Sequence, residues 1–164
     1  MLEVRESKVG GDGVFATQDI PKGTFIHTLV GVARTERDFD LLPEGEEAYN
    51  DPLQIYEGAT EMDRVYIDLD EFSRSFNHSC DPNGGIRNVS DLYAIKDIKA
   101  GDEITYDYSA VVGRLETIFS MECACGTERC RKIIGNIDTI PQAQLEEYKT
   151  LNALPAYIRQ LLHI

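Results

Sequence analysis

A chain of 164 residues and 18.4 kDa has room for one domain with its own core and excludes two full ones. Its 42% hydrophobic and 27% charged residues are those of a globular protein, which excludes a disordered or fibrous one. Sixteen Lys and Arg against 29 Asp and Glu give a formal net charge of −13, which opposes the phosphate neutralisation on which nucleic-acid affinity rests. The expected partner is therefore a basic protein or peptide, with no direct nucleic acid. No stretch approaches the roughly 18 consecutive apolar residues of a membrane helix, and the opening MLEVRESKVGGDG lacks the apolar run of a secretion signal. A soluble intracellular protein with no membrane partner is expected, nuclear in a eukaryote and cytoplasmic in a microbe.

In chain order the elements read as mostly β. Apolar β-formers recur in short runs at residues 14–16, 24–30, 65–68, 92–95 and 104–108, separated by Gly, Pro, Asn and Asp. Residues 34–63 have few β-branched side chains and several breakers (Pro43, Gly45, Pro52, Gly58), and read as an insertion with a helical turn or two. Residues 19–26 and 97–104 both spell D-I-x-x-G-x-x-I, a tight turn whose Gly supplies a positive φ, used twice. After Gly135 the pattern turns helical: Pro141 opens a helix with Leu145, Tyr148 and Leu151 on one face. A second short helix runs from Pro155 to about His163.

The charge is concentrated. From Glu36 to Glu71 there are thirteen acidic residues against Arg37 and Arg64, a local net of −11, and the rest of the chain sums to −2. Such a run is a solvated surface or one wall of a groove that steers a cationic ligand.

Four cysteines form one pattern: Cys80, then Cys123, Cys125 and Cys130 in C-x-C-x4-C. Zinc takes four thiolates tetrahedrally, and three close ligands plus one distant one would pin the chain end to the core. Disulfides and unligated structural cysteines are the alternatives. Without a secretion signal the oxidised form is disfavoured. Gly126 permits the turn that closely spaced ligands require, and Arg129, Arg131 and Lys132 would offset the surplus charge of four thiolates.

Four segments, in order, resemble one family, the SET-domain protein-lysine methyltransferases with a post-SET zinc loop. Gly11-Asp12-Gly13-Val14-Phe15-Ala16 is similar to the family's G-x-G-[LV]-[FY]-A, and Arg74-Ser75-Phe76-Asn77-His78-Ser79-Cys80-Asp81-Pro82-Asn83 to its R-F-x-N-H-S-C-x-P-N. Residues 102–108, Asp-Glu-Ile-Thr-Tyr-Asp-Tyr, resemble the E-[LI]-T-[FY]-D-Y segment, and 123–135 resemble C-x-C-x4-C-[RK]-x-x-[IL]-G. The likeness spans about residues 4–135.

The resemblance implies a SET fold of small curved sheets, with the Asn77–Cys80 strand and the 102–108 segment in a knot-like arrangement that brings Cys80 to the other three cysteines. It implies residues 1–110 as the SET domain with the insertion at about 34–63, residues 119–135 as the post-SET zinc loop, and residues 139–164 as a C-terminal helical extension. It assigns S-adenosyl-L-methionine to Gly11, Asp12, Gly13, Arg74, Asn77 and His78, and one structural zinc to Cys80, Cys123, Cys125 and Cys130. The reaction implied is methyl transfer to the side-chain amine of lysine in a basic protein such as a histone tail. An exposed lysine with a pKa near 10.4 is neutral only about one part in a thousand of the time at neutral pH, so a desolvated aromatic channel must favour the free amine. By resemblance Tyr108 is the catalytic tyrosine that orients the amine. Tyr106 stands where the family carries Phe or Tyr, and its hydroxyl leaves less room for methyl groups, which favours mono- or dimethylation. One departure is Leu29, in Thr28-Leu29-Val30-Gly31, where the family commonly has a Tyr; Tyr49 or Tyr56 would have to supply the missing ring. Leu29 also motivates the rival reading, a catalytically weak or inactive zinc-stabilised peptide-binding SET module.

Overall fold

In a computed structural model of the chain, residues 1–41, 52–116 and 119–164 are described. Glu44, Glu46, Glu47 and Asp51 of the acidic run, and Tyr49, lie outside them. The expected β architecture is present, built as small antiparallel sheets. β1 (Leu2–Glu6) and β2 (Asp12–Ala16) form a hairpin with Leu2 opposite Ala16. β3 (Phe25–Thr28) and β4 (Gly31–Thr35) follow, and β4 runs into a single-turn α1 (Glu36–Asp40). Thr35 and Asp38 cap that turn reciprocally: the Thr35 N–H donates to Asp38 Oδ2 at 2.6 Å and the Asp38 N–H donates to Thr35 Oγ1 at 3.4 Å. The insertion thus holds a helical turn as expected, but it also carries β5 (Leu53–Tyr56), which pairs with β6 (Val65–Leu69) in a sheet of order β4-β6-β5.

A second sheet has the order β3-β8-β7, with β7 at Gly84–Arg87 and β8 at Asp91–Ala94. Gly84 and Gly85 give β7 no apolar signature, and packing accounts for them. A Cβ on Gly84 would meet the Thr105 carbonyl oxygen at 2.9 Å, and one on Gly85 would meet Ala153 Cβ at 2.5 Å. The two-residue strands β9 (Met121–Glu122) and β10 (Ile133–Ile134) bracket the cysteine loop. The two expected helices close the chain, α2 (Gln142–Thr150) after Pro141 and α3 (Ala156–Leu161) after Pro155.

Buried apolar residues fall into two clusters. The larger, including Val14, Ile20, Leu29, Leu92 and Ile104, fills the space between the sheets, and the smaller joins Ile95 and Ala110 to Ile137, Leu145, Tyr148, Leu154, Tyr157 and Ile158. The segment at 102–108 is not the regular strand its composition suggests. It is bonded on one side to β2, where the Ile104 N–H donates to the Val14 carbonyl, and on the other to the extended segment at 77–79, where the Tyr106 N–H donates to the Asn77 carbonyl and the Ser79 N–H to that of Tyr106. Its pairing on both sides is by single bridges, and it ends in a one-turn 3₁₀ helix at Tyr108–Val111.

The two D-I-x-x-G turns meet each other. The Ile20 N–H donates to the Ile98 carbonyl at 2.8 Å and the Ile98 N–H returns the bond at 2.9 Å. The Gly23 N–H donates to the Ala94 carbonyl and the Gly101 N–H to that of Ala16. Asp97 Oδ1 accepts from the Lys22 N–H, and Asp19 Oδ1 accepts from the Ala100 N–H. These bonds come in matched pairs, so the two copies interlock about an approximate two-fold axis, with the Lys99–Asp19 ion pair made on one side only. Gly23 and Gly101 sit at φ +88° and +92°, where an L side chain is strained. Gly101→Ala is expected to lower stability by about 1–2 kcal/mol in urea unfolding, although no atom crowds the new methyl group.

Candidate active site

The interlocked core presents three tyrosine rings to one cavity of about 500 Å³. Tyr66, Tyr106 and Tyr108 line it with Val111, Val112 and Phe119, and with the charged residues Glu36, Arg64 and Glu116. The Tyr106 and Tyr108 rings lie 4.9 Å apart at 48°, and the Tyr108 hydroxyl donates to the Phe76 carbonyl at 2.9 Å. Burial pushes the Tyr66 phenol far above its ordinary pKa, and its hydrogen bond to Glu36 acts in the same direction. Arg64 is buried between Glu36, at 3.7 Å, and Glu116, so one surplus negative charge stands in the lining. Such a lining attracts a cation, and its rings strip water from it.

Tyr66 was not singled out in the sequence. Residues Val65-Tyr66-Ile67 read only as a strand; the alternation that turns Tyr66 away from its neighbours carries meaning once β6 is known to be the centre of its sheet. Leu29, where an aromatic ring was expected, is fully buried in the larger core cluster and does not line the cavity. Tyr56 is exposed and does not line it either.

The Asn77–Cys80 segment lies directly behind these rings. The Asn77 side-chain amide donates to the Asp12 carbonyl at 2.9 Å and to Glu103 Oε1 at 2.7 Å, fastening the Gly11–Gly13 loop to the crossing segment. Gly11 stands at φ +59° with nothing within 4 Å of where its Cβ would be, so this face of the loop is open. Gly13 has another reason to be glycine, because a Cβ there would strike Glu103 Oε1 at 2.4 Å. Arg74 is exposed on the one-turn helix Ser73–Ser75.

His78 turns its ring inward. Nδ1 accepts from the Tyr108 N–H at 3.1 Å, so in the neutral ring the proton sits on Nε2, 3.2 Å from Cys80 Sγ. Burial pushes the imidazole down to about 4, with Arg131 acting in the same direction and Asp107 against it. Because Asn77 and Ser79 pair with Tyr106, the backbone N–H and C=O of His78 face the opposite way.

The four cysteines come together. None is disulfide-bonded, and their sulfur atoms all lie within 4.8 Å of one another. A zinc ion with four bonds of about 2.3 Å spaces its thiolates roughly 3.8 Å apart, so the cluster fits that ion. Burial pushes the Cys80 and Cys123 thiols up, a penalty that a divalent cation reverses. The Arg131 N–H donates to Cys80 Sγ at 3.3 Å, a bond that favours a thiolate there. Gly126, at φ +70°, makes the expected turn. The side chains of Arg129 and Arg131 are bonded to carboxylates, Arg129 to Glu147 at 2.8 Å and Arg131 to Asp107 through two N–H groups at 2.8 and 2.7 Å, and from there the Arg131 charge still favours the Cys80 thiolate.

Asp107 sits between Tyr106 and Tyr108 with its side chain 1% exposed, and it also accepts from the Ser109 N–H at 3.0 Å and the Tyr148 hydroxyl at 2.9 Å.

The chain is similar to known proteins. The sequence profile of the SET domain matches residues 11–109, well over half of the chain, and the chain belongs to the SET-domain family. It is 29% identical over 160 residues to the H3 lysine-9 specific histone-lysine N-methyltransferase of Schizosaccharomyces pombe, covering 79% of this chain and 32% of that protein. It is 31% identical over 149 residues to the histone-lysine N-methyltransferase Su(var)3-9 of Drosophila melanogaster, covering 76% and 23%. Among solved structures it resembles KRYPTONITE in complex with mCHH DNA, an H3(1-15) peptide and SAH, with 27% identity, a TM-score of 0.57, and coverage of 81% of this chain and 29% of that one. The chain spans less than a third of the length of each of these proteins. Among the described residues no helix is long and apolar enough to cross a membrane.

Removing one partner from a buried ion pair strands the other charge. Arg131→Leu is therefore expected to lower stability by about 3–5 kcal/mol in urea unfolding, far more than Arg114→Leu at the exposed pair with Asp138.

Proposed function

We propose that this protein transfers methyl groups from S-adenosyl-L-methionine to the side-chain amine of lysine in a basic protein, with a histone tail as the first substrate to test. The observation that carries the reading is the cavity lined by Tyr66, Tyr106 and Tyr108, set against the Asn77–Cys80 segment and bearing one surplus negative charge. The family relationship and the relatives' own names support it. The net charge of −13 supports a basic partner and argues against direct nucleic-acid contact by this chain. An intracellular site of action follows from such a substrate.

When bound, S-adenosyl-L-methionine would supply an electrophilic sulfonium methyl group, whose C–S bond breaks as the neutral lysine nitrogen takes the methyl, the sulfur leaving as a thioether and the methylated ammonium releasing its proton to solvent. The open face at Gly11 and Asp12, with Arg74 nearby in sequence to Asn77, would hold it, and His78 would contribute its outward backbone rather than its ring. Asn77 and Gly13 shape the site from behind through Glu103. The tyrosine-lined cavity takes the lysine side chain, strips its water and thereby favours the neutral amine. Tyr108 orients that amine, and Tyr106 narrows the space around it. Rate then comes from positioning and desolvation, not from a covalent intermediate. Cys80, Cys123, Cys125 and Cys130 would hold one structural zinc. In this reading residues 1–110 are the SET domain, 119–135 the post-SET loop and 139–164 a C-terminal extension.

Radiolabelled methyl transfer to core histones and other basic proteins tests the reading. Tyr108→Phe is expected to cut turnover about 100-fold while cofactor binding persists; cofactor binding with no transfer by the wild type to any basic protein would leave a binding module. Tyr106→Phe should shift product masses towards higher methylation, and an unchanged methylation state would remove its proposed role. Metal analysis should give about one zinc per reduced chain, and chelation should lower the melting temperature.

A further inference from the structure

The one-turn helix that carries Tyr108 is held from outside the matched domain. Tyr108 stands at its start, and Val111, which lines the same cavity, stands at its end. The Asp107 carboxylate before it accepts the Tyr148 hydroxyl at 2.9 Å. Ser109 Oγ accepts from Arg131 Nη2 at 3.0 Å and from the Gly135 N–H at 3.3 Å. Ala110 packs with Leu145 and Leu154 in the smaller cluster, and the Val111 carbonyl accepts the Tyr157 hydroxyl. Tyr148 is on α2 and Tyr157 on α3, beyond the last residue matched by the family profile.

Phenylalanine would fill the same core space at both positions. A buried hydroxyl has to be satisfied, and in return it fixes a direction that apolar packing leaves loose. Both hydroxyls are spent on this one turn, one at its entrance and one at its exit. Burial pushes both phenols well above their ordinary pKa, so both remain donors across the physiological range. Gln144, also on α2, donates to the carbonyl of Cys80 at 2.6 Å and to the Tyr148 hydroxyl, so the helix is tied to the cysteine cluster as well.

We propose that the C-terminal extension, through Tyr148 and Tyr157, is a positioning element for Tyr108: it sets the attitude of the turn that presents the tyrosine hydroxyl to the cavity. The proposal rests on the reading of Tyr108 as the group that meets the amine. Tyr148 and Tyr157 are positioning residues and touch no substrate.

The test compares Tyr148→Phe and Tyr157→Phe, which keep both rings in the core, with Ile158→Val, which thins the same core without removing a hydroxyl. In the full chain, each Phe variant should lower kcat about tenfold with the KM for cofactor and for histone substrate within twofold of wild type. Amide hydrogen exchange, read by mass spectrometry, should rise at residues 107–111 and not elsewhere. Ile158→Val should lower the melting temperature while leaving kcat and exchange at 107–111 unchanged. Unchanged kcat in both Phe variants, or losses that merely track melting temperature across all three, overturns the proposal. If the wild type transfers no methyl group, the functional reading falls separately, and the exchange arm still decides: no local rise at 107–111 overturns the clamp.

Discussion

Everything around the cavity is referred to one buried carboxylate. Asp107 lies between two cavity tyrosines, and its two oxygens accept from the Arg131 fork, the Ser109 N–H and the Tyr148 hydroxyl. A buried ion pair can lose more from desolvation than it gains from attraction unless the geometry is good and the remaining lone pairs are filled. Here the carboxylate's lone pairs are filled, although Arg131 Nε is buried without a partner, and the donors come from the crossing segment, the cysteine loop and the C-terminal helix. The pair is weak evidence for high stability but strong evidence for register: the three parts fit together in one way only.

The cysteine cluster and the cavity are two sides of that register. Cys80 ends the Asn77–Cys80 segment and Arg131 follows the last cysteine of the loop, so the gathering of the four sulfurs and the Arg131 fork on Asp107 involve the same stretch of backbone. His78 adds a second link, since its ring receives the Tyr108 N–H on one nitrogen and faces Cys80 Sγ with the other. The cysteine cluster and the tyrosine pair are therefore linked through two short sets of contacts, one by way of Arg131 and Asp107 and one by way of His78.

Much of this was legible in the sequence, and the exceptions have physical reasons. The cysteine cluster was readable from its C-x-C-x4-C spacing with one distant partner, and the tyrosine pair and glycine loop were singled out through the resemblance to the SET-domain family. The repeated D-I-x-x-G turns were readable as turns, but their reciprocal pairing was not, because nothing local says which distant strand a turn meets. β7 escaped because its glycines answer to Thr105 and Ala153, residues far along the chain. Tyr66 escaped because one tyrosine in a strand becomes a cavity wall only when its sheet partners are known. The attitude of His78 was hidden for a related reason: the motif names the residue, whereas bridge pairing decides that its backbone faces outwards and its ring inwards.

The interlocked turns also dictate an order of events during synthesis. β2 receives its second set of backbone partners only from residues 102–104, and the turn at 19–23 meets its counterpart at 97–101. At roughly 5–20 residues per second at the ribosome, the amino-terminal hairpin waits several seconds with one side unpaired. The tyrosine turn waits longer still, until α2 and α3 emerge. Such long-range closure makes for slow folding and a late commitment step. The nascent chain therefore carries the open edge of β2 for most of its synthesis, an edge that another chain could pair with until residues 102–104 arrive.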